Sequence, residues 1–317
     1  MIRDRRLWLV VAAVLVAVGI AAVALQDSNP DEPKLLPVHT ISVGDGPVAV
    51  AVGDGSAWVV NAAEQTLGRI DPAVNRMEED PLLLAEVPLG IAVGGGSVWV
   101  GTGVGTSIVR VDSATGKVVG APIEVGTSPQ SVAIGGGAVW SPLLGDGVVA
   151  RVDVTTGTVL PEVSTGFDFP SAVAVGFESV WVTDVRDDVV VRFDPGRPSK
   201  RTTIEVGTSP TAVAVGEGAV WVANFSDGTV SRIDPATDRV TGDPIFVGGS
   251  ARGITTGEGF VWVTVSDIDA VVRIDPNTSR IVGAPLPVGD DPQGVAVGEG
   301  SVWVANQGDE TVTRIDL

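Results

Sequence analysis

Short runs of alternating apolar and polar residues recur along the chain, separated by turn residues. Residues 206–247 show the unit clearly, with the runs TAVAVG, AVWVAN and TVSRID followed by RVTGDPIFV. Side chains of a β-strand point alternately to its two faces, so each run is typical of a strand. The segments GEG, SDG and DPATD between the runs supply the residues that tight turns favour. The unit therefore predicts four consecutive antiparallel strands, with the proline of the last one at an outer position that tolerates its missing N–H.

The unit occurs seven times. The second run of each unit carries a tryptophan. These residues follow one another at intervals of 40 or 41 positions: Trp58, Trp99, Trp140, Trp181, Trp221, Trp262 and Trp303. An arginine stands eleven positions after every tryptophan and an aspartate thirteen positions after it. Repeats of four strands without a helical pattern are typical of propeller blades. The sequence predicts an all-β fold, a seven-bladed β-propeller with four-stranded blades.

The seventh unit is incomplete, because the chain ends at its third strand, residues 311–316. The missing fourth strand is found near the other end of the sequence, where residues 39–43 (HTISV) match the end of a fourth strand at 203–206 (TIEV). We predict that this N-terminal strand pairs with residues 311–316, with Ile41 and Val43 on one face. Such pairing closes the ring and removes two sheet edges.

The N-terminal region predicts a membrane anchor. Residues 7–25 contain no charge, and nineteen such residues span a hydrocarbon core. Three arginines in the basic segment 1–6 keep that end cytoplasmic by the positive-inside rule. Residues 26–36 then form a linker, and residues 37–317 form the propeller on the extracytoplasmic side of the cell membrane. The alternative is a signal peptide cleaved after Ala22-Val23-Ala24, which would make the protein secreted.

Composition excludes several classes of function. Lysine and arginine number 20 against 39 acidic residues, a net charge of −19. Nucleic-acid binding needs a basic surface, so no nucleic-acid partner is expected. The chain has no cysteine, which excludes disulfides and thiolate metal sites. It also lacks the phosphate-binding loop, the nucleophile elbow and the zinc-binding helix motif.

Residues 294–316 (GVAVGEGSVWVANQGDETVTRID) resemble the repeats of YVTN and virginiamycin B lyase-like propellers, and the resemblance extends over all seven units. It implies the same fold, which serves as lyase, sensor domain and binding platform. The lyases of this family use a histidine pair and a metal-binding glutamate on one face. The single histidine here is His39, in the predicted closing strand. The family's catalytic residues therefore cannot be carried over, no catalytic residue is assigned, and streptogramin lyase activity is not expected.

Residues that recur in every unit indicate scaffold. The tryptophans are predicted to pack between adjacent blades. The recurring arginine and aspartate lie on the same side of the third strand and predict an ion pair or a backbone clamp in each blade. A ligand site should lie where the units differ.

One face of the propeller carries the connections into each first strand and those between strands two and three. The fourth and sixth units differ most there, with the segments FDFP, TDVRDD, SARG and SDID. Phenylalanine beside arginine and aspartate suits a peptide, a protein or a small polar ligand. The candidate ligand-binding residues are Phe167, Phe169, Asp184, Arg186, Asp187, Phe225, Arg252, Asp267, Asp291, Gln293 and Asn306.

Carboxylates on this face also suit the binding of Ca²⁺ or Mg²⁺, which prefer several oxygen ligands. The candidate ligands are Asp187, Asp267 and Asp269, but no loop has EF-hand spacing and no cofactor is assigned. The sequence favours a membrane-tethered, non-catalytic binding or sensing module. The alternatives are a metal-dependent lyase- or lactonase-like enzyme with carboxylates at the channel mouth, a structural partner in an envelope complex, and an acidic surface without a ligand.

Overall fold

A computed structural model describes residues 36–317 of the protein, apart from Glu79. The predicted anchor at 7–25 lies outside these residues. Within the described part of the chain, no helix is long and apolar enough to cross a membrane. The compact unit Pro37–Leu317 is the predicted seven-bladed propeller, in which seven antiparallel sheets follow one another along the sequence.

The first three blades differ in their outermost strand. Blade one contains β2 (Pro47–Gly53), β3 (Ser56–Asn61), β4 (Thr66–Asp71), β5 (Arg76–Met77) and β6 (Leu82–Leu83). Blade two contains β7 (Gly90–Gly94), β8 (Ser97–Gly101), β9 (Ser107–Asp112) and β10 (Ile123–Glu124). Blade three contains β11 (Ala133–Gly135), β12 (Ala138–Leu143), β13 (Val148–Asp153) and β14 (Val159–Ser164).

The remaining blades repeat this plan. Blade four contains β15 (Pro170–Gly176), β16 (Ser179–Asp184), β17 (Val189–Asp194) and β18 (Arg197–Glu205). Blade five contains β19 (Pro210–Gly216), β20 (Ala219–Asn224), β21 (Thr229–Asp234), β22 (Arg239–Val240) and β23 (Ile245–Phe246). Blade six contains β24 (Ala251–Gly257), β25 (Phe260–Val265), a 3₁₀ turn at Ser266–Ile268, β26 (Ala270–Asp275), β27 (Arg280–Ile281) and β28 (Leu286–Pro287). The fourth strand predicted as one run is two short pieces in blades one, five and six. A Gly and a Pro lie between the pieces in blades five and six, and Pro81 lies between them in blade one, where its missing N–H interrupts the ladder.

Blade seven closes the ring as predicted. It consists of β29 (Pro292–Gly298), β30 (Ser301–Asn306), β31 (Thr311–Asp316) and the N-terminal β1 (Val38–Ser42). Strand β1 pairs with β31 over five residues, from Val38 opposite Ile315 to Ser42 opposite Thr311. Ile41 is 3% exposed and packs against blade one. A Cβ added at Gly298 would lie 2.6 Å from the Val52 side chain, so the inner strands of blades seven and one are in direct contact.

The repeated tryptophans are buried in every blade, at 0–2% exposure. Six apolar clusters among the described residues each combine side chains of two adjacent blades, which confirms the predicted packing between blades. The eleven-residue spacing is the register of the second hairpin, since each tryptophan lies directly opposite its arginine, as in Trp221 and Arg232. The guanidinium carbon lies 4.6–5.8 Å from the ring centre in all seven pairs.

The recurring arginine is a backbone clamp in four blades, where it donates to a carbonyl oxygen in the next blade. Arg110, for example, donates to the Thr155 oxygen at 3.1 Å. The recurring aspartate mostly accepts backbone N–H groups of its own turn, as Asp234 does from Ala236 at 2.9 Å. An ion pair between the two repeated positions occurs in blade seven, where Arg314 lies 2.8 Å from Asp316. The arginine and the aspartate thus stabilise different contacts in most blades.

Candidate functional site at the channel mouth

The seven inner strands surround a central channel whose upper end is a cavity of about 570 Å³. We call this end the upper face, because the connections into each first strand and those between strands two and three meet there. The second residue of each inner segment lines the cavity at its entrance. These residues form the mouth ring: Val48, Leu89, Gln130, Ser171, Thr211, Arg252 and Gln293.

The mouth ring is not symmetric. Blades one and two contribute the apolar Val48 and Leu89, whereas the other five blades contribute amide, hydroxyl or guanidinium groups. Two positions further along each strand, an aliphatic ring lines the channel below the mouth. Its members are Val50, Ile91, Val132, Val173, Val213, Ile254 and Val295. The cavity therefore has a polar entrance on one side and an apolar floor.

Arg252 is the one ionisable side chain among the described residues that line this cavity. Its guanidinium carbon lies 5.3 Å from the centre of the Phe225 ring, which belongs to the connection between β20 and β21. Its Nε atom donates to Gln293 Oε1 at 2.7 Å. The aromatic ring and the amide together fix the plane of the guanidinium.

Gln293 is itself held in place from the other side. It is 6% exposed, and its Nε2 donates to a carboxylate oxygen of Asp291 at 2.8 Å. The Asp291 backbone N–H donates to Asp269 at 3.1 Å. Four of the candidate residues, Phe225, Arg252, Asp291 and Gln293, therefore form one connected group at the mouth.

A second group of candidates lies in blade four. The Arg186 guanidinium stacks over Phe169, with its carbon 3.5 Å from the ring centre. Asp184 is 1% exposed and accepts backbone N–H groups from Phe169 at 2.7 Å and from Arg186 and Asp187 at 3.1 Å. Asp184 thus shapes the loop rather than facing a ligand.

Asp187 is exposed beside this buried carboxylate. Desolvation, together with the charge of Asp184, raises the pKa of Asp187 above its ordinary value. Lesser contributions come from Asp168 and Asp188. The loop therefore carries a local excess of negative charge around the Arg186 and Phe169 pair.

The other three candidates make internal contacts and do not line the cavity. Phe167 packs against the core between blades three and four. Asp267 accepts the backbone N–H and hydroxyl of Ser250 at 3.0 and 2.8 Å. Asn306 is fully buried and donates to Thr311 and Thr313, both at 2.9 Å. These contacts are internal, so the three side chains are structural.

Among residues 36–317 other than Glu79, no group of three or more His, Asp or Glu side chains is arranged to hold a metal ion. Asp269 and Asp267 each bind a backbone N–H, and Asp187 lies in a different blade from both. The only histidine, His39, lies on the outer strand β1 and not at the channel.

Sequence reasoning missed several residues that line the mouth. Gln130, Ser131, Ser171, Thr211 and Gln307 all face the cavity. The first, third and fourth of these come directly after the proline that begins an inner segment, in the same position as Arg252 and Gln293. That position, compared across the seven units, is the signal that would have found them.

Comparison with known proteins supports the fold. The sequence matches no protein-family model and no curated protein. Virginiamycin B lyase from Staphylococcus aureus superimposes with a TM-score of 0.78 at 16% identity, covering 89% of this chain and 99% of that one. Hydrazine synthase from Kuenenia stuttgartiensis gives 0.75 at 15% identity, covering 92% and 99%. At such low identities the TM-scores show a shared propeller fold alone, and the two similar proteins have different activities.

Proposed function

We propose that this propeller is a non-catalytic binding module whose ligand occupies the upper mouth of the central channel. The supporting observation is the cavity of about 570 Å³ in which Arg252 is the one ionisable lining residue among those described. General acid–base chemistry requires a positioned group that exchanges a proton near the working pH. An arginine stays protonated, so it binds and orients without transferring a proton. Ligand pockets commonly measure 300–1,000 Å³, a range that includes this cavity.

The lyase-like alternative has less support from the site. Virginiamycin B lyase shares the fold, but the resemblance implies a histidine pair at the face, and this chain has only His39 on an outer strand. The proposed metal-dependent enzyme would need converging carboxylates, and the described residues contain no such group. The binding module requires only the preorganised polar mouth.

We also propose that residues 7–25 tether this module to the cell membrane, with the propeller outside the cytoplasm. The support is the uncharged run of nineteen residues preceded by three arginines. Carbonate extraction and N-terminal sequencing of the protein purified from membranes test the tether. A protein that stays in the membrane pellet and retains its first residues supports it, and an N-terminus near Leu25 contradicts it.

Binding at the mouth is tested by thermal shift of the detergent-solubilised full chain with defined probes. The set contains acidic, neutral and basic tripeptides and a neutral disaccharide. A ligand that binds only the folded state raises the melting temperature. We expect at least one probe to do so, and we expect Val48→Trp to abolish the shift by filling the mouth.

The matched control is Val240→Trp, which alters an exposed valine on the outer edge of blade five. It should leave the shift unchanged. A shift that survives Val48→Trp would place the ligand elsewhere. No shift with any probe would contradict the proposed function.

A further inference from the structure

We infer that the ligand carries a single carboxylate next to an aliphatic group, with the carboxylate bound by Arg252 and the aliphatic group directed into the channel. The inference rests on the proposed binding function and specifies the chemistry of the same site. Three independent features lead to it: the guanidinium of Arg252 (unpaired among the described residues), the aliphatic floor of the cavity and the net negative charge of the protein.

The Arg252 fork is prepared for an anion. Its contacts are the Phe225 ring and the Nε bond to Gln293, and no described carboxylate forms an ion pair with it. The two terminal nitrogens remain for a ligand, and their planar geometry matches the two oxygens of a carboxylate. The side chain is also exposed, so an approaching group reaches it from the channel entrance.

The direction of the Gln293 amide is settled by its partners. Arg252 Nε can only donate, so it faces the amide oxygen, and the Asp291 carboxylate accepts from the amide nitrogen. Gln293 therefore separates Arg252 from the nearest carboxylate in the network. The guanidinium charge is positioned without being neutralised, which an anion-binding group requires.

The floor of the cavity selects an apolar group. Below the mouth ring, the aliphatic side chains of Val50, Ile254 and the other five members of the aliphatic ring line the channel. A polar group inserted there would lose its hydrogen bonds to water without replacement. An aliphatic side chain would instead bury its surface, while the carboxylate on the same carbon reaches sideways to Arg252.

The overall charge argues for one carboxylate rather than a polyanion. The protein carries a net charge of −19, and such a field repels strongly negative ligands. A phosphate-rich or polyacidic ligand would gain one Arg252 contact and meet the surrounding acidic surface. Both a peptide ending in an aliphatic residue and a small aliphatic carboxylate have the required chemistry.

The test is isothermal titration of the full-length chain in detergent with an acetylated peptide, Gly-Ser-Ala-Ala-Leu, as free acid and as C-terminal amide. A charge-assisted hydrogen bond corresponds to about tenfold to a hundredfold in affinity. We expect amidation to weaken binding by that factor. Arg252→Gln should weaken the free acid equally and leave the affinity of the amide unchanged.

Three controls complete the design. Arg280→Gln, an exposed arginine on β27 of the same blade, should bind the free acid like the parent. Arg252→Lys keeps the charge without the fork and should show an intermediate loss. The melting temperature of each variant without ligand reports whether it is folded.

The source of the carboxylate follows from a third probe, N-acetylleucine. Tighter binding of the peptide identifies a peptide C-terminus, and equal affinities identify a small carboxylate. Equal binding of acid and amide, or an equal loss for both in Arg252→Gln, overturns the inference. If a neutral or basic probe binds at the mouth while neither peptide does, the carboxylate inference fails and the binding function stands. If no probe binds, both fail.

Discussion

The imidazole Nε2 of His39 lies 3.1 Å from a carboxylate oxygen of Asp316, across 277 positions of sequence. The contact joins the first strand of the described chain to the last. Asp316 also accepts a hydrogen bond from Ser301 at 3.0 Å and pairs with Arg314 at 2.8 Å. Burial alone would raise the pKa of Asp316, but the bonds from Ser301 and His39 and the charge of Arg314 outweigh it, and the pKa is lowered. The two ends of the ring are thus connected by side chains as well as by the ladder between β1 and β31.

Deleting residues 1–36 should leave the stability of the propeller unchanged, whereas deleting residues 1–44 should lower it sharply. The longer deletion removes β1, exposes the edge of β31 and uncovers the core contact of Ile41. Thermal unfolding and size-exclusion chromatography of the two truncated proteins measure the effect. Equal melting temperatures with both proteins monomeric would show that β1 does not stabilise the ring.

Much of the fold could be predicted because each blade repeats the same local register. The spacing from Trp221 to Arg232 is the length of one hairpin, and seven copies of it leave little choice of architecture. The closure followed from counting strands, because the seventh unit lacked one. The division of the fourth strand in blade five was not predicted. Gly and Pro weaken a strand, but whether they divide it depends on the contacts that the outer strand makes with its neighbours.

Sequence reasoning named some of the residues that meet at the channel mouth, and the site itself stays a prediction. The sequence placed Arg252 and Phe225 on one face, but their contact is made between neighbouring blades and depends on the width of the ring. Asn306, a candidate from the sequence, is buried. It lies opposite Thr311 in the register, and its amide donates to that threonine, a pairing that strand alignment alone would have shown.

Acid should weaken the attachment of Glu86, in the connection between blades one and two, to blade two. Its carboxylate accepts hydrogen bonds from Thr102 at 2.6 Å, Ser107 at 2.9 Å and the Thr106 N–H at 3.3 Å. The Thr102 bond is the largest cause that lowers the pKa of Glu86 below its ordinary value of 4.5, against the opposing effect of burial. A lowered folded-state pKa gives stability that is present above pH 4.5 and lost as the pH falls through the folded-state value.

We therefore expect Glu86→Gln to be less stable than the parent at neutral pH, with a difference that shrinks as the pH falls below 4.5. Melting temperatures measured across this range test the expectation. The control is Glu178→Gln, which alters an exposed carboxylate in blade four. A gap between Glu86→Gln and the parent that is independent of pH would show that the charge of Glu86 contributes nothing.

Asp184→Asn should destabilise blade four, although asparagine occupies the equivalent position in blades one, five and seven. There the amide donates to a threonine five residues later, as Asn224 does to Thr229 at 3.1 Å. Blade four has Val189 opposite Asp184 and offers no such acceptor. The new amide would face the Phe169 N–H, at a cost of about 1–3 kcal/mol for an unsatisfied buried donor.

Urea unfolding measures this loss, and two further variants interpret it. Asp184→Asn combined with Val189→Thr restores the missing acceptor and should recover part of the stability. Asp187→Asn removes an exposed carboxylate whose pKa is raised above its ordinary value. At neutral pH the stability of this variant should therefore equal or slightly exceed that of the parent. If Asp184→Asn alone is as stable as the parent, the three backbone bonds to the carboxylate are not needed.

Ala219→Ser should stabilise blade five by giving Arg232 a partner. In four blades a serine at the start of the second strand accepts a hydrogen bond from the arginine Nε; Ser179 does so from Arg192 at 2.9 Å. Blades three, five and six have Ala138, Ala219 and Phe260 at that position. The Nε atoms of Arg151, Arg232 and Arg273 in those blades are buried without a hydrogen-bond partner among the described residues.

A serine fits this position in the four other blades, so the hydroxyl at 219 should bind Arg232 and raise the free energy of unfolding by about 1 kcal/mol. The midpoint of urea unfolding measures the gain. Ala138→Ser, the equivalent change in blade three, should reproduce it by giving Arg151 the same hydrogen-bond partner. The matched control is Ala223→Ser on the same strand. Residue 223 lies opposite Val230, so the new hydroxyl would be buried without a guanidinium to donate a hydrogen bond to it. That variant should lose stability. If Ala219→Ser and Ala223→Ser are equally destabilising, the Nε atom already has a partner in water, and the serines of the other four blades do not stabilise the ring through this bond.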